Sequence, residues 1–177
     1  GWWGSDEDKL SAEWWANYKK YMENPERNKM FGATLTDNEL RTWNASSINE
    51  SMDPKYVEAR LNVQDNIAQA AAEKYAINAL EQGHSMTWVR NNFPTVDTER
   101  LVGELQKGTY FDKREARFSE MSKQLDMLEK QEELDRLLLM DPDQMTASQL
   151  RRLRTLTEGG DEEEEPLRVS IQDGRAQ

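Results

Sequence analysis

The chain has 177 residues, with 34 acids against 23 bases, a net charge of 23 − 34 = −11 and a mean hydropathy of −0.97. A surface of that sign repels phosphate backbones and anionic headgroups, which excludes strong nucleic-acid binding and simple electrostatic docking to a membrane. The absence of cysteine excludes disulfides, thiolate catalysis and Cys-ligated zinc or iron–sulfur centres, and fits a reducing compartment. Hydrophobic residues at 36% and charged residues at 32% leave little apolar supply, which predicts an elongated, multi-helix, all-α protein with much solvated surface. Six Trp, five Tyr and four Phe argue against a disordered chain. No apolar run approaches the roughly 20 residues of a membrane span, and no signal peptide is visible. The start at Gly1 is that of a processed product, a cloning remnant or a fragment of a longer protein.

In chain order, the first helix is expected from about Asp6 to Glu23. Ser5 caps it, and Leu10, Trp14, Tyr18, Tyr21 and Met22 form one face. Asn24-Pro25 breaks it, and a short turn from Glu26 to Phe31 is expected to end at Gly32. Thr36 and Glu39 form a capping box, opening a short helix with Leu40 and Trp43 inward. Asp53 at N-cap and Pro54 at N1 start a long helix to about Glu81, with Gly83 as its stop. Val57, Leu61, Ile67 or Ala68, Ala71 and Tyr75 or Ala76 are expected along one side. Trp88, Val89 and Phe93 form an apolar knot before Pro94, and a helix from about Asp97 to Lys107 stops at Gly108. A long helix capped at Asp112 to Glu115 reaches about Met140, carrying a coiled-coil-like seam of Phe111, Phe118, Met121, Leu125 and Leu128. Asp141-Pro142 breaks it. A second capping box, Thr146 with Gln149, opens a helix carrying Leu150, Leu153 and Leu156. After the acidic run Asp161 to Glu165, Leu167, Val169 and Ile171 alternate with polar residues at strand period. The expected domains are therefore residues 1–109, a helical domain; 110–160, an oligomerisation region; and 161–177, an acidic extended tail. A lone strand is unstable in water, so the tail is expected to pair with another chain if it orders.

Catalytic chemistry has little to work with. His84 is the only histidine, so neither a Ser-His-Asp set nor a histidine metal site can be assembled. Its place beside Gly83 suits a helix C-terminal cation. Glu7, Glu13 and Asp37 stand near aromatic residues and could in principle serve a glycosidase, but 34 acids make such proximity ordinary. No phosphate loop, dinucleotide fingerprint or EF-hand is present. The expectation is a non-enzyme with no cofactor and no metal. Of the aromatic pairs Trp2-Trp3 and Trp14-Trp15, the second diverges by about 100° on a helix, so one ring enters a core and the other needs a further partner, which is either the same intramolecular core or a subunit or partner interface; Trp2 and Trp3 precede the helix, have no evident core and point to an interface. The expected interface residues are Trp2, Trp3, Trp14, Trp15, Phe118, Met121, Leu125, Leu128, Leu167, Val169 and Ile171. Tryptophan also favours membrane interfaces, and no other feature suggests membrane contact.

The stretch from Lys29 to Tyr75 carries Phe31-Gly32, Leu35-Thr36, Trp43 and Met52-Asp53-Pro54 leading into a long polar helix. This pattern resembles a segment of structural proteins of tailed bacteriophages, including internal virion (DNA-ejection) proteins and portal or tail components, over about residues 29–77. The resemblance transfers no catalytic residue. It implies a helical virion component, assembled in the host cytoplasm, whose partners are other virion proteins and copies of itself. The acidic charge departs from what DNA contact would need. The other readings the sequence permits are a small cytosolic helical adaptor and a peptidoglycan-degrading virion enzyme.

Overall fold

A computed structural model describes residues 3–158, all of whose regular structure is helical. The expected all-α class is therefore observed. Trp2, the acidic run and Leu167, Val169 and Ile171 lie outside the described residues. The chain forms two compact units, Gly1–Leu125 and Asp126–Gln177.

The first unit begins with α1 (Asp6–Lys9) and α2 (Ala12–Met22), two helices where one was expected. Ser5 and Asp8 form a capping box for α1. Ser11 then interrupts: its hydroxyl donates to Asp8 O and accepts from Trp14 N, so it ends one helix and caps the next. Leu10 falls at this break and is 64% exposed, so it leaves the expected apolar face. The expected turn after Pro25 is also a helix, α3 (Pro25–Thr34), which continues through Gly32. Asn24 caps it and Pro25 sits at N1, so the residues read as a breaker act as a start signal. The cost of about 1 kcal/mol for an interior glycine is offset because α3 packs on α5 and buries Phe31 against Trp43.

The Thr36–Glu39 box opens α4 (Asp37–Ala45) as expected, with Trp43 buried and Leu40 half-buried. Asp53 and Pro54 start α5 (Pro54–Glu81). Its buried residues are not confined to one side: Val57, Leu61, Val63, Gln64, Ile67, Ala70, Ala71, Glu73, Ala76 and Ile77 surround much of the helix. Of the alternatives Tyr75 or Ala76, Ala76 is buried and Tyr75 exposed. α5 is thus the central helix of this unit, packed by α1, α3, α4 and α6 (Met86–Asn92). The α5 end is a Schellman motif. His84 N donates to Ala79 O and Gly83 N to Leu80 O, with Gly83 at φ 95°. The end of α7 (Thr98–Lys107) repeats it at Gly108, φ 71°. Beyond these, α8 (Tyr110–Leu138) starts two residues before the expected cap.

The expected boundary at residue 109 is not where the units divide, because the first half of α8 is built into the first core. Tyr110 packs with Ile77, Val89 and Leu101, while Arg114 reaches Glu39 and Ala70 O. In the second unit, Asp141 caps a 3-10 turn, Pro142–Gln144, and the Thr146–Gln149 box opens α9 (Ala147–Glu158). Arg152 of α9 grips Glu133 of α8 through Nε and Nη2, both 2.8 Å from a carboxylate oxygen.

Two checks follow from these ends. Thr36→Ala and Thr146→Ala remove the hydroxyls that accept from Glu39 N and Gln149 N, and each is expected to cost about 1 kcal/mol in denaturant melts. Unchanged stability in both would show that the boxes do not hold these helices. The second check is the Glu133–Arg152 pair. The hydrogen bond from Arg152 holds the Glu133 carboxyl below its ordinary 4.5. A carboxylate with a lowered folded pKa stabilises above its unfolded value and loses that contribution as pH falls through the folded one. Helicity of a 126–158 reporter signal, such as NMR shifts of α9, should fall with pH below 4.5, and Glu133→Gln should remove that dependence.

Candidate interaction surface

The expected interface residues divide into three groups. Trp3 is 7% exposed and belongs to the core, with Tyr18, Val57 and Leu61. Its indole Nε1 donates to Asp65 at 2.8 Å, which ties the N-terminal segment to α5. Trp14 and Trp15 are half-buried against the same cluster. Trp14 stacks on Tyr18 at 5.4 Å and 4°, meets Trp15 edge-on at 4.9 Å, and donates from Nε1 to Trp3 O. The Tyr18 hydroxyl and Gln64 side chain bond each other, and Gln64 Nε2 also donates to Ser46 O. One intramolecular core therefore takes three of the four expected tryptophans, the fourth lying outside the described residues. The divergence of adjacent helical positions is met by the segment before α1 folding over α2, which supplies Trp3 as the second partner.

The seam on α8 behaves similarly. Phe118, Met121 and Leu125 are buried in the first unit, and only Leu128, half-buried, falls in the second. Their threefold and fourfold spacing is a core face of α8 rather than a free one. Phe111, grouped with them by spacing, is 53% exposed under the Lys74 ammonium.

The exposed large apolar side chains lie elsewhere. In the second unit Met127 is 71%, Leu138 61%, Leu139 88% and Leu150 48% exposed. Met127, half-buried Leu134 and Leu138 recur at i, i+7 and i+11, which places them on one stripe of α8. Leu150, Leu153 and Leu156 form a second stripe on α9. In the first unit a ladder of rings runs over the α5–α6 corner. His84 stacks on Trp88 at 3.8 Å, Trp88 meets Phe93 at 6.2 Å, and Phe93 meets Tyr75 at 5.5 Å. His84 thus lies on an indole face, a contact the spacing of the sequence did not bring out.

A dense cluster of ionisable groups in the first unit is built around Glu73, which is fully buried. It accepts from Arg100 at 2.9 Å, Arg117 at 2.8 Å and the Tyr110 hydroxyl at 3.1 Å. Arg100 also bonds Glu104, and Tyr110 accepts from Arg114, whose guanidinium forks onto Glu39 and donates to Ala70 O and Thr34 O. Burial raises the Tyr110 phenol above its ordinary 10.0, opposed by the charge of Arg114. Three arginines face three carboxylates here, so the cluster is a compensated ionic bolt joining α3, α4, α5, α7 and α8. Sequence reasoning missed it: Glu73 sits within an alanine-rich run, and its partners lie 27 to 44 residues away. Among the described residues no group of His, Asp or Glu could hold a metal ion, and no helix is long and apolar enough to cross a membrane.

The described residues thus combine a buried network of paired arginines and carboxylates in the first unit with exposed apolar side chains on the helices of the second. No family model, curated protein or solved structure matches the chain.

Proposed function

We propose that this chain is a non-enzymatic assembly component that works by helix packing, and that its setting is a tailed-bacteriophage virion, as an internal or portal- and tail-associated protein. The observation that carries the packing mechanism is the concentration of solvent-facing Met127, Leu138, Leu139 and Leu150 in the second unit. Fully burying one such side chain from water gains about 1.5–3 kcal/mol, less for Leu150, which is already about half covered, and that gain is the driving term set against the rigid-body and side-chain ordering costs of association. The fully matched Glu73 and Arg114 cluster supports a structural rather than a catalytic interior. The virion setting is supported by the resemblance carried by Phe31, Gly32, Leu35, Thr36, Trp43, Met52 and Pro54. With the core now accounting for Trp3, Trp14, Phe118, Met121 and Leu125, the surface that meets other virion proteins or further copies is drawn from the stripes of the second unit.

Mass spectrometry of purified phage particles tests the setting. Stoichiometric recovery of the chain with portal, tail or internal proteins is the expected result, and its absence from particles that contain those proteins would overturn the setting while leaving the packing mechanism to be tested on its own.

A further inference from the structure

The described part of the second unit is a hairpin of two helices, the end of α8 and α9, joined through the Pro142–Gln144 turn. Glu133 and Arg152 bond each other from positions nearly equally far to either side of that turn, so the two helices run antiparallel. Two helices alone cannot enclose a core, and among the apolar side chains from 126 to 158 only Leu137 is buried. With successive residues about 100° apart, Met127, Leu134 and Leu138 share one stripe of α8, about a third of a turn clockwise of Glu133 as seen from the helix N-terminus. Leu150 and Leu153 stand about a third of a turn clockwise of Arg152 on α9 in the same sense. Equal turns from a facing pair carry two antiparallel helices to the same side. Both stripes therefore open on one face of the hairpin, where Met127, Leu138 and Leu150 are exposed.

The charges that border this face say what covers it. Farther round α8, on the edge away from α9, stands Asp135; farther round α9, on the edge away from α8, stands Arg154, 77% exposed. Asp135 accepts from Gln131 and Arg154 donates to Glu158, both contacts one helical turn apart on the surface, which hold these groups only weakly. One edge is thus acidic and the other basic. A partner of either sign would meet repulsion along one of them, whereas a second copy can match both. Two such faces meet about a two-fold axis in one of two ways. An axis across the helices sets α8 on α8, with like charges at each edge. An axis along the helices sets α8 on the α9 of the other copy, with Asp135 beside Arg154 at both edges.

We infer that two copies of this chain pair through that face about a two-fold axis parallel to the helices, forming a four-helix bundle in which α8 of each copy lies on α9 of the other. The leucines of both stripes fill the bundle core, and the Asp135–Arg154 edges fix which helix meets which. The inference rests on the assembly role proposed above and names the partner of these stripes.

The test is sedimentation equilibrium of the intact chain at low ionic strength. Alone at micromolar concentration it should give the mass of two chains, 2 × 20.6 = 41.2 kDa. Asp135→Arg and Arg154→Asp each turn two attractions into two repulsions, and each should weaken the dimer about tenfold. An equimolar mixture of the two variants should recover the affinity of the unsubstituted chain, as should the chain carrying both substitutions, because opposite charges again face each other. If Asp135→Arg loses its helical circular dichroism, the exposed Arg154→Asp carries the test. A single-chain mass alone, with a gain only when virion proteins are added, would overturn the inference and leave the assembly role standing; a single-chain mass in both would overturn both. A mass above two chains, an affinity unchanged by Arg154→Asp, or a mixture of folded variants no tighter than either alone would each overturn the paired arrangement.

Discussion

Arg114→Met destabilises the first unit by about 3–5 kcal/mol, the largest expected single-residue effect in the ionic cluster. Arg114 is 5% exposed and its guanidinium donates to Glu39, the Thr34 and Ala70 carbonyls and the Tyr110 hydroxyl. Methionine fills much of the same volume, so the change isolates the lost charge and donors from the lost packing. It leaves Glu39, itself only 8% exposed, as a buried carboxylate with no guanidinium opposite, and it removes the donor that caps Thr34 O at the end of α3. Glu39 keeps its bond from Thr36 N, which is why the expected loss stays within that range. Urea melts at constant m-value measure it. Arg114→Lys should recover little, since an ammonium cannot span both Glu39 oxygens while also reaching two carbonyls. A double-mutant cycle with Glu39→Gln should show strong coupling between the two positions. A loss below about 1 kcal/mol would mean that the cluster is hydrated and not a bolt.

The second large effect belongs to Leu101. It is fully buried among Ala76, Ile77, Val89, Val96 and Tyr110. Two of its neighbours in that cluster, Ala76 and Ala79, are too small to reach into a cavity, and Tyr110 is held by Glu73 and Arg114. The surroundings therefore cannot collapse into the space that Leu101→Ala opens, and the loss should be about 3–4 kcal/mol, toward the upper part of the range for such changes. Leu150→Ala makes the contrast. With Leu150 48% exposed, the same deletion should change the stability of the isolated chain by less than about 0.5 kcal/mol. Similar losses at the two positions would contradict the assignment of Leu101 to a core and Leu150 to a surface.

The helix ends were the most legible part of the sequence, because capping is local chemistry. Ser5, Thr36, Asp53-Pro54, Gly83, Gly108 and Thr146 each stand where their spacing placed them. The same grammar misled where two signals overlapped. Pro25 both ends one helix and begins another, and Ser11 lies inside a run of apolar periodicity that its hydroxyl interrupts. The periodicity of α8 picked out Phe118, Met121 and Leu125 as one apolar face, but a helix period cannot say whether the surface that covers it belongs to the same chain. Here it does. The Glu73 cluster was illegible for a different reason. Burying a carboxylate requires arginines brought from elsewhere by the fold, and nothing near Glu73 distinguishes it from the solvated acids that make up most of the 34.

The packing mechanism implies that the free chain does not leave its apolar stripes in water. Light scattering of the intact chain at micromolar concentration, alone and mixed with portal, tail or internal virion proteins, measures this directly. The expected mass exceeds the 20.6 kDa of a single chain in at least one of the two samples, and the double substitution Leu138→Glu with Leu139→Glu returns it to that value without loss of helicity. A mass of 20.6 kDa in both samples for the unsubstituted protein would contradict the proposal that the chain acts by assembling.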